Sequence, residues 1–246
     1  MLPARAEQEY QLLKYIHDQG EPVGSGSVAE WLRSLGFDIS EATAGRVLRE
    51  LDTRGYTLRL GYRGRVLTGS GQQHLEDLAA ERRRSNSGQE LLNALRGPGL
   101  KDLVDVLVAR RAIEREAARL AAARASHEDV AEMEDAVRLH ELSESGGGPE
   151  QDVRFHRLVA RASGNRVLMA AVDLIHQDGL LSPVLDYIRK WVKSTIAADH
   201  RQVLLAISRR DAQAAERAME AHIENVIRDV NQYWETVHAE NGTGAR

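Results

Sequence analysis

Gln151-Asp-Val-Arg-Phe-His-Arg-Leu-Val-Ala160 decides how the second half of this chain is read. Its apolar residues recur at helical spacing, and Asp152 and His156 stand four apart. On an α-helix, positions i and i+4 share a face, so a carboxylate and an imidazole point the same way. Two further histidines lie in helical sequence downstream. His200 accompanies Val203, Leu204 and Ile207; His222 accompanies Ala218, Met219 and Val226. One carboxylate and three imidazoles on three helices suit a divalent transition metal inside a helical bundle. Spacing alone leaves a second reading open, in which each histidine is a satisfied core or surface residue. Of the remaining six histidines, His17, His74, His127, His140 and His176 show no such company.

Around this stretch, from residue 89 onward, no segment has strand periodicity. Helices are expected at about 89–96, 100–125, 127–145, 149–163, 165–178, 180–192, 194–208 and 211–238, an all-α bundle. The breaks are Gly97-Pro-Gly, Ser126, Ser145-Gly-Gly-Gly-Pro149, Ser163-Gly-Asn165, Gly179 and Arg210-Asp211.

Upstream the pattern differs. Residues 6–19 carry Tyr10, Leu12, Leu13 and Ile16 at helical spacing. Ser27 and Glu30 form a capping box opening a second helix with Val28, Leu32 and Leu35 inward. Ser40 caps a third, from Glu41 to about Arg54, with Ala44, Val47, Leu48 and Leu51 inward. The period then changes to two: Tyr56-Thr-Leu-Arg-Leu60 and Arg65-Val-Leu-Thr68 flank Gly61-Tyr-Arg-Gly64, a β-hairpin. Three helices followed by a hairpin make a winged helix-turn-helix. The fold class is thus mainly α, with a winged helix-turn-helix at residues 1–84, including a connecting helix, and an all-α domain at 85–246. The polar run Arg82-Arg-Arg-Ser-Asn-Ser-Gly88 reads as the hinge.

Charge follows the same division. Residues 46–65 hold six arginines against Glu50 and Asp52, a net +4. Arginine suits phosphate and guanine edges. The third helix offers Ser40, Glu41, Thr43, Arg46 and Arg49 to a major groove, and Arg63 sits at the wing tip. The alternative is a solvated arginine-rich face. Residues 1–84 hold twelve basic and twelve acidic residues, so the chain's excess of four acids lies in the second domain, away from DNA. With no cysteine, thiolate metal sites and cysteine nucleophiles are excluded, leaving N and O ligands. No apolar run approaches ~18 residues and no signal peptide is legible, so a cytoplasmic location without membrane contact is expected.

Two resemblances add to this. Pro22-Val-Gly-Ser25, Ile39-Ser-Glu-Ala-Thr43, Gly45-Arg46, Leu48-Arg-Glu-Leu-Asp52, Gly55-Tyr56, Gly64-Arg65 and Leu67-Thr68 resemble the winged-helix modules of some prokaryotic transcription regulators. Further on come Arg111-Ala-Ile-Glu114, Ala117-Ala-Arg-Leu-Ala-Ala122, Asp152-x-x-Phe-His156, Ala162-Ser-Gly-Asn165, Asp199-His200, Leu205-Ala-Ile207, Asp211, Ala215 and Met219…His222. In this order, over about residues 100–235, they resemble the FCD ligand-sensing domain of the FadR subfamily of GntR regulators. The resemblance implies a divalent metal, usually taken to be zinc, held by Asp152, His156, His200 and His222. Nickel and manganese are chemically open too. It also implies a small carboxylate effector. Arg111 is the expected guanidinium partner of that carboxylate, with a surface salt bridge as the alternative. Trp191 is the expected pocket wall, or else a packing residue. Effector specificity is expected in residues 180–195.

Two departures mark this chain. Asp199 stands where the family has glutamate. The first domain lacks the Leu-Pro-Ser-Glu-Arg and Ser-Arg-x-Pro-Val-Arg signatures, so its DNA contacts rest on residues 40–65 alone. The expectation is a homodimeric, ligand-responsive transcription regulator on a palindromic operator; the alternative is a metal-dependent enzyme acting on a small carboxylic acid.

Overall fold

The computed structural model describes residues 2–97, 99–142, 149–177, 181–193 and 197–243. The chain folds as two compact units, Met1–Asn93 and Ala94–Arg246.

In the first unit, α1 (Ala4–Gln19), α2 (Ser25–Ser34) and α3 (Glu41–Thr53) precede β1 (Thr57–Arg59) and β2 (Arg65–Leu67), an antiparallel hairpin with Leu58 opposite Val66. Ser40 caps α3 as expected, its Oγ accepting from Thr43 N at 3.1 Å. The expected capping box at Ser27 does not form. Helix α2 begins three residues earlier, with an extended Gly24 as its N-cap in place of Ser27. The cause is a contact distant in sequence: Val23 and Arg65 exchange two backbone hydrogen bonds of 2.9 Å. That pairing holds the chain extended up to Gly24 and frees it immediately afterwards. Leu35, expected inward, ends the helix and is exposed. The core is Leu12, Leu13, Val28, Leu32, Ala44, Leu48 and Leu51, closed by Leu75 and Leu78 of α4 (Gly69–Ala94).

Helix α4 corrects two expectations. The polar run 82–88 is helical rather than a hinge, and no separate helix occupies 89–96. Pairs such as Gln89–Asn93, four apart and 3.0 Å across, support the helix from its own surface. Its first turn lies hard against the corner after α3. A Cβ at Gly71 would come within 1.9 Å of the Tyr56 carbonyl oxygen, so only glycine fits.

The second unit is a bundle of α5 (Leu100–Arg124), α6 (His127–Leu142), α7 (Pro149–Ala162), α8 (Arg166–His176), α9 (Leu181–Val192), α10 (Ala197–Ser208) and α11 (Ala212–Thr243). The expected ends at 145, 178, 180 and 194, and part of 180–195, fall outside the described residues. Helices α5 and α11 pack along one another; α10 lies on α11, and α7 lies on α5 and α6. The Ala162-Ser-Gly-Asn165 motif builds the α7–α8 corner. Asn165 Oδ1 accepts from Val167 N at 3.0 Å and Leu168 N at 3.3 Å, and Arg124 donates to the Ser163 carbonyl at 2.7 Å. Alanines 117, 118, 121 and 122 let α5 approach its neighbours closely. Among the described residues no helix is long and apolar enough to cross a membrane.

Candidate metal centre

Among the described residues of the second unit, nine charged or imidazole side chains are buried: Arg110, Glu114, His140, Asp152, His156, His176, Arg189, His200 and His222. Burying an ionised group is costly unless it is paired, so such a concentration needs a reason. The contacts among them supply one, because they converge.

Asp152 and His156 project from α7, His200 from α10 and His222 from α11, and each is at most 1% exposed. Nε2 of His222 lies 3.2 Å from Nε2 of His200 and 3.2 Å from Nε2 of His156. Asp152 Oδ1 lies 3.5 Å from His200 Nε2 and 3.7 Å from His156 Nε2. All four ligand atoms fall within 4.8 Å of one another. For nitrogen ligands about 2.1 Å from an ion, neighbouring ligands sit about 3.0 Å apart at right angles and about 3.4 Å apart in a tetrahedron. The observed 3.2 Å suits either arrangement.

What lies behind the imidazoles settles which nitrogen faces inward. His156 Nδ1 is against the Glu114 carboxylate, and His222 Nδ1 is 3.6 Å from Asp199 Oδ2. A carboxylate at Nδ1 keeps the proton there and leaves the Nε2 lone pair free, the arrangement of metal-bound histidines. Among the described residues His200 has no such partner behind it, but its Nε2 meets the same point, where a cation would be shared by all three imidazoles.

The carboxylates are held in turn. Arg110 Nε donates to Glu114 Oε1 at 2.6 Å, and Asn225 Nδ2 donates to Asp199 Oδ2 at 2.8 Å. Burial pushes His200 and His222 down, His200 well below the ordinary imidazole range with neighbouring His222 and His156 adding to the effect, and His222 to about 4. Both imidazoles are therefore neutral near pH 7, the form in which they could ligate an ion. Burial acts most strongly against charge on His156, but the Glu114 and Asp152 carboxylates together outweigh it and raise that group. Against the cost of burial, Arg189, His156 and His200 hold Asp152 well below the carboxylate range, and Arg110 and His156 do the same for Glu114. Phe155 stacks on His200 with centroids 4.4 Å apart and walls the cluster.

The other expected site residues fall differently. Arg111 points away from the cluster and bonds Glu224 at 3.2 Å, half-buried between α5 and α11. One residue along a helix is a rotation of ~100°, and it is Arg110 that turns inward. Arg189 of α9 donates to Asp152 Oδ1 at 3.4 Å, and its Nε and Nη2 have no partner among the described residues. Trp191 closes α9, partly exposed, with its ring edge-on to Tyr233 at 5.3 Å. His140 and His176, for which sequence spacing offers no reason for inclusion, are both buried here. His140 is edge-on to His200 at 5.2 Å, and His176 Nε2 is 3.8 Å from Glu114 Oε1. Four residues apart on α5, Arg110 and Glu114 carried a signal as a same-face charge pair on an alanine-rich helix.

In the first unit Ser40, Arg46, Arg49 and Arg63 are exposed, and Thr43 is half-buried. Glu41 accepts from Ser25 Oγ at 3.1 Å. Two of the six arginines are structural. Arg65 is buried on Asp52 at 2.8 Å, and Arg54 bonds Glu9 at 2.9 Å while covering the Tyr56 ring.

Residues 105–225 match the family described as FCD domain, and residues 10–75 match the Ribonuclease R winged-helix domain. The chain is 34% identical over 139 residues to the Uxu operon transcriptional regulator of Escherichia coli, covering 50% of this chain and 51% of that protein. It is 37% identical over 67 residues to the Global nitrogen regulator NrpRI of Methanosarcina mazei (27% and 21%), and 26% identical over 198 residues to the Exu regulon transcriptional regulator of Escherichia coli (76% and 69%). The chain thus spans about half the length of the first and about a fifth of the second.

Proposed function

We propose, for a chain that belongs to the FCD-bearing, FadR-like regulators of the GntR family, that it regulates transcription by coupling a metal-assisted acid sensor to a winged DNA reader. The observation that carries this is the buried convergence of three Nε2 atoms and Asp152 Oδ1, with two of the imidazoles backed by carboxylates. Asp152, His156, His200 and His222 would hold the ion. The N₃O set without thiolate suits zinc, with nickel or manganese as alternatives. When bound, such an ion offers open coordination positions to a carboxylate.

Arg189 is better placed than Arg111 to receive the same carboxylate, since it already bonds Asp152 and keeps donors to spare. Ser40, Thr43, Arg46, Arg49 and Arg63 present the groups that face DNA; Glu41 is held by Ser25 and orients the helix start instead. A homodimer would place two α3 helices roughly 34 Å apart on a palindromic operator. A coupling free energy on the order of 1–3 kcal/mol suffices for regulation. The relatives are named as regulators, and the chain is read as a regulator rather than an enzyme.

The test is elemental analysis of the purified chain beside His156→Ala, with a thermal-shift series of small carboxylates on each. The expected result is one ion per wild-type chain, none in the variant, and an acid-induced shift in the wild type alone. Equal metal content in both would overturn the assignment.

A further inference from the structure

The second unit gathers its aromatic residues where α9 meets α11. Residues 94–246 hold five: Phe155 walls the metal cluster, and the other four are Tyr187, Trp191, Tyr233 and Trp234. These four stand together, with the Tyr233 ring 5.9 Å from Tyr187, 5.3 Å from Trp191 and 6.3 Å from Trp234. Beside them lies a cavity of about 350 Å³. Leu95 lines it from the segment before α5, Val106 from α5, Ile175 from α8, Val184 from α9 and Trp234 from α11. None of the four candidate metal ligands lines it. It adjoins the cluster without opening on the ligands: Arg110 follows Val106 by one turn on α5, and His176 follows Ile175 on α8.

The lining decides what the cavity can hold. Its walls are mostly aliphatic and aromatic, and the charged groups at its edge are occupied. Asp102 Oδ2 accepts from Gly99 N at 3.0 Å, and the corner folds so closely over it that a Cβ at Gly97 would come within 2.2 Å of Asp102 Cγ. Arg96 is engaged as well. An ionised guest would therefore enter without a counter-charge, a cost that an uncharged one avoids. Water held in a cavity needs about two to four polar partners, and this lining offers few. Sites for small molecules begin at about 300 Å³, are mainly apolar and aromatic, and lie between the helices of bundles.

The mouth is apolar too. Val184, which lines the cavity, is 47% exposed, and Tyr187, three residues on and on the same face of α9, is 60% exposed. An aliphatic side chain and a ring facing solvent beside an apolar interior mark the entrance for an apolar molecule. We infer that this cavity is a second ligand site, independent of the metal, for one small uncharged molecule with an aromatic or aliphatic body. Such a molecule lies against Trp234 on one side and Val106 and Ile175 on the other. It also touches Leu95, Gly97 and Gly99, the connection from α4 to α5.

The probe is the uncharged dye N-phenylnaphthylamine, which fluoresces on leaving water, titrated onto the full chain with and without excess chelator. The expected result is a saturable rise with one dye per chain, the same affinity in both conditions, and a melting temperature raised by the dye. Leu103→Trp and Leu174→Trp fill the cavity from α5 and from α8, both at half-buried positions. Each weakens the dye roughly tenfold or more, about the worth of two buried methylene groups. Val184→Asp places a carboxylate at the exposed mouth, leaves the core intact and gives a similar loss, so it decides the matter if a filled variant melts early. No saturable binding by the wild type, or wild-type affinity in Val184→Asp or in a folded filled variant, overturns the site. Binding that disappears with the chelator assigns the dye to the metal centre and overturns the independence of the cavity, while the reading of the metal centre stands.

Discussion

Replacing Arg110 by methionine separates the structural from the functional side of the buried cluster. Arg110 is fully buried, and its Nε donates to Glu114 Oε1 at 2.6 Å. Glu114 is buried as well, with His156 Nδ1 on one side and His176 Nε2 3.8 Å away on the other. Burial works against the Glu114 charge, and the guanidinium is the largest influence opposing it. Methionine fills much of the arginine volume but leaves that carboxylate without its cation. Breaking a buried pair from one side costs about 3–5 kcal/mol. For a domain of the size of the second unit, 1 kcal/mol moves the midpoint by roughly 2–4 °C, so the melting temperature falls by about 6–20 °C. Circular dichroism melts at pH 7 with excess chelator read the protein alone. The double variant Arg110→Met/Glu114→Gln removes both charges and recovers most of the loss, because a neutral pair needs no compensation. It still binds metal about 10–100-fold more weakly, since His156 has lost the carboxylate that fixes its tautomer. A double variant as unstable as the single would refute the buried-charge argument; full metal affinity in the double would refute the orienting role of Glu114.

Asp199→Ala loosens His222 from behind, so metal affinity falls about 10–100-fold with the fold intact; a chelator competition giving wild-type affinity would count against that role. The histidines make the metal-free protein pH-sensitive. Folded pKa values of His200 and His222 lie below the unfolded value of about 6.5, so between that and about 4 for His222 the unfolded chain binds more protons. Stability therefore falls as pH drops through this window, by on the order of 3 kcal/mol for His222, while the raised His156 acts in the opposite sense. Urea unfolding with chelator at pH 7 and pH 5 checks it, and equal or greater stability at pH 5 would contradict the assignment. Arg46→Ala weakens duplex binding in a gel shift while metal content is unchanged; an unaltered gel shift would remove Arg46 from the DNA face.

Most of the element plan was legible because it is local. Ser40 before Glu41 and the alternation across Tyr56–Thr68 are signals that neighbouring residues carry between themselves, and the structure places helix and hairpin there. Asp152 and His156 were readable for the same reason, one helical turn apart. His200 and His222 joined them through their apolar company and the family pattern. What failed was what distant residues decide. The start of α2 moved because Val23 pairs with Arg65, 42 positions away in sequence. The hinge expected at 82–88 is a helix, since polarity alone does not distinguish a solvated helix from a linker.

The i,i+4 spacing of Arg110 and Glu114 was a signal for the inward arginine, but it did not by itself choose Arg110 over Arg111, because both lie on a helix whose alanine stripe tolerates either neighbour. Only the packing of α5 against α7 and α11 decides which side chain meets Glu114 and which meets Glu224. His140, His176 and Arg189 were hidden likewise, each an ordinary polar residue on its own helix until the packing of the bundle brought it to the cluster. Sequence by itself determined which backbone forms and which four side chains could bind an ion. Tertiary structure alone decided which groups stand behind those ligands, because convergence from separate helices depends on their packing and leaves no periodic trace along any one of them.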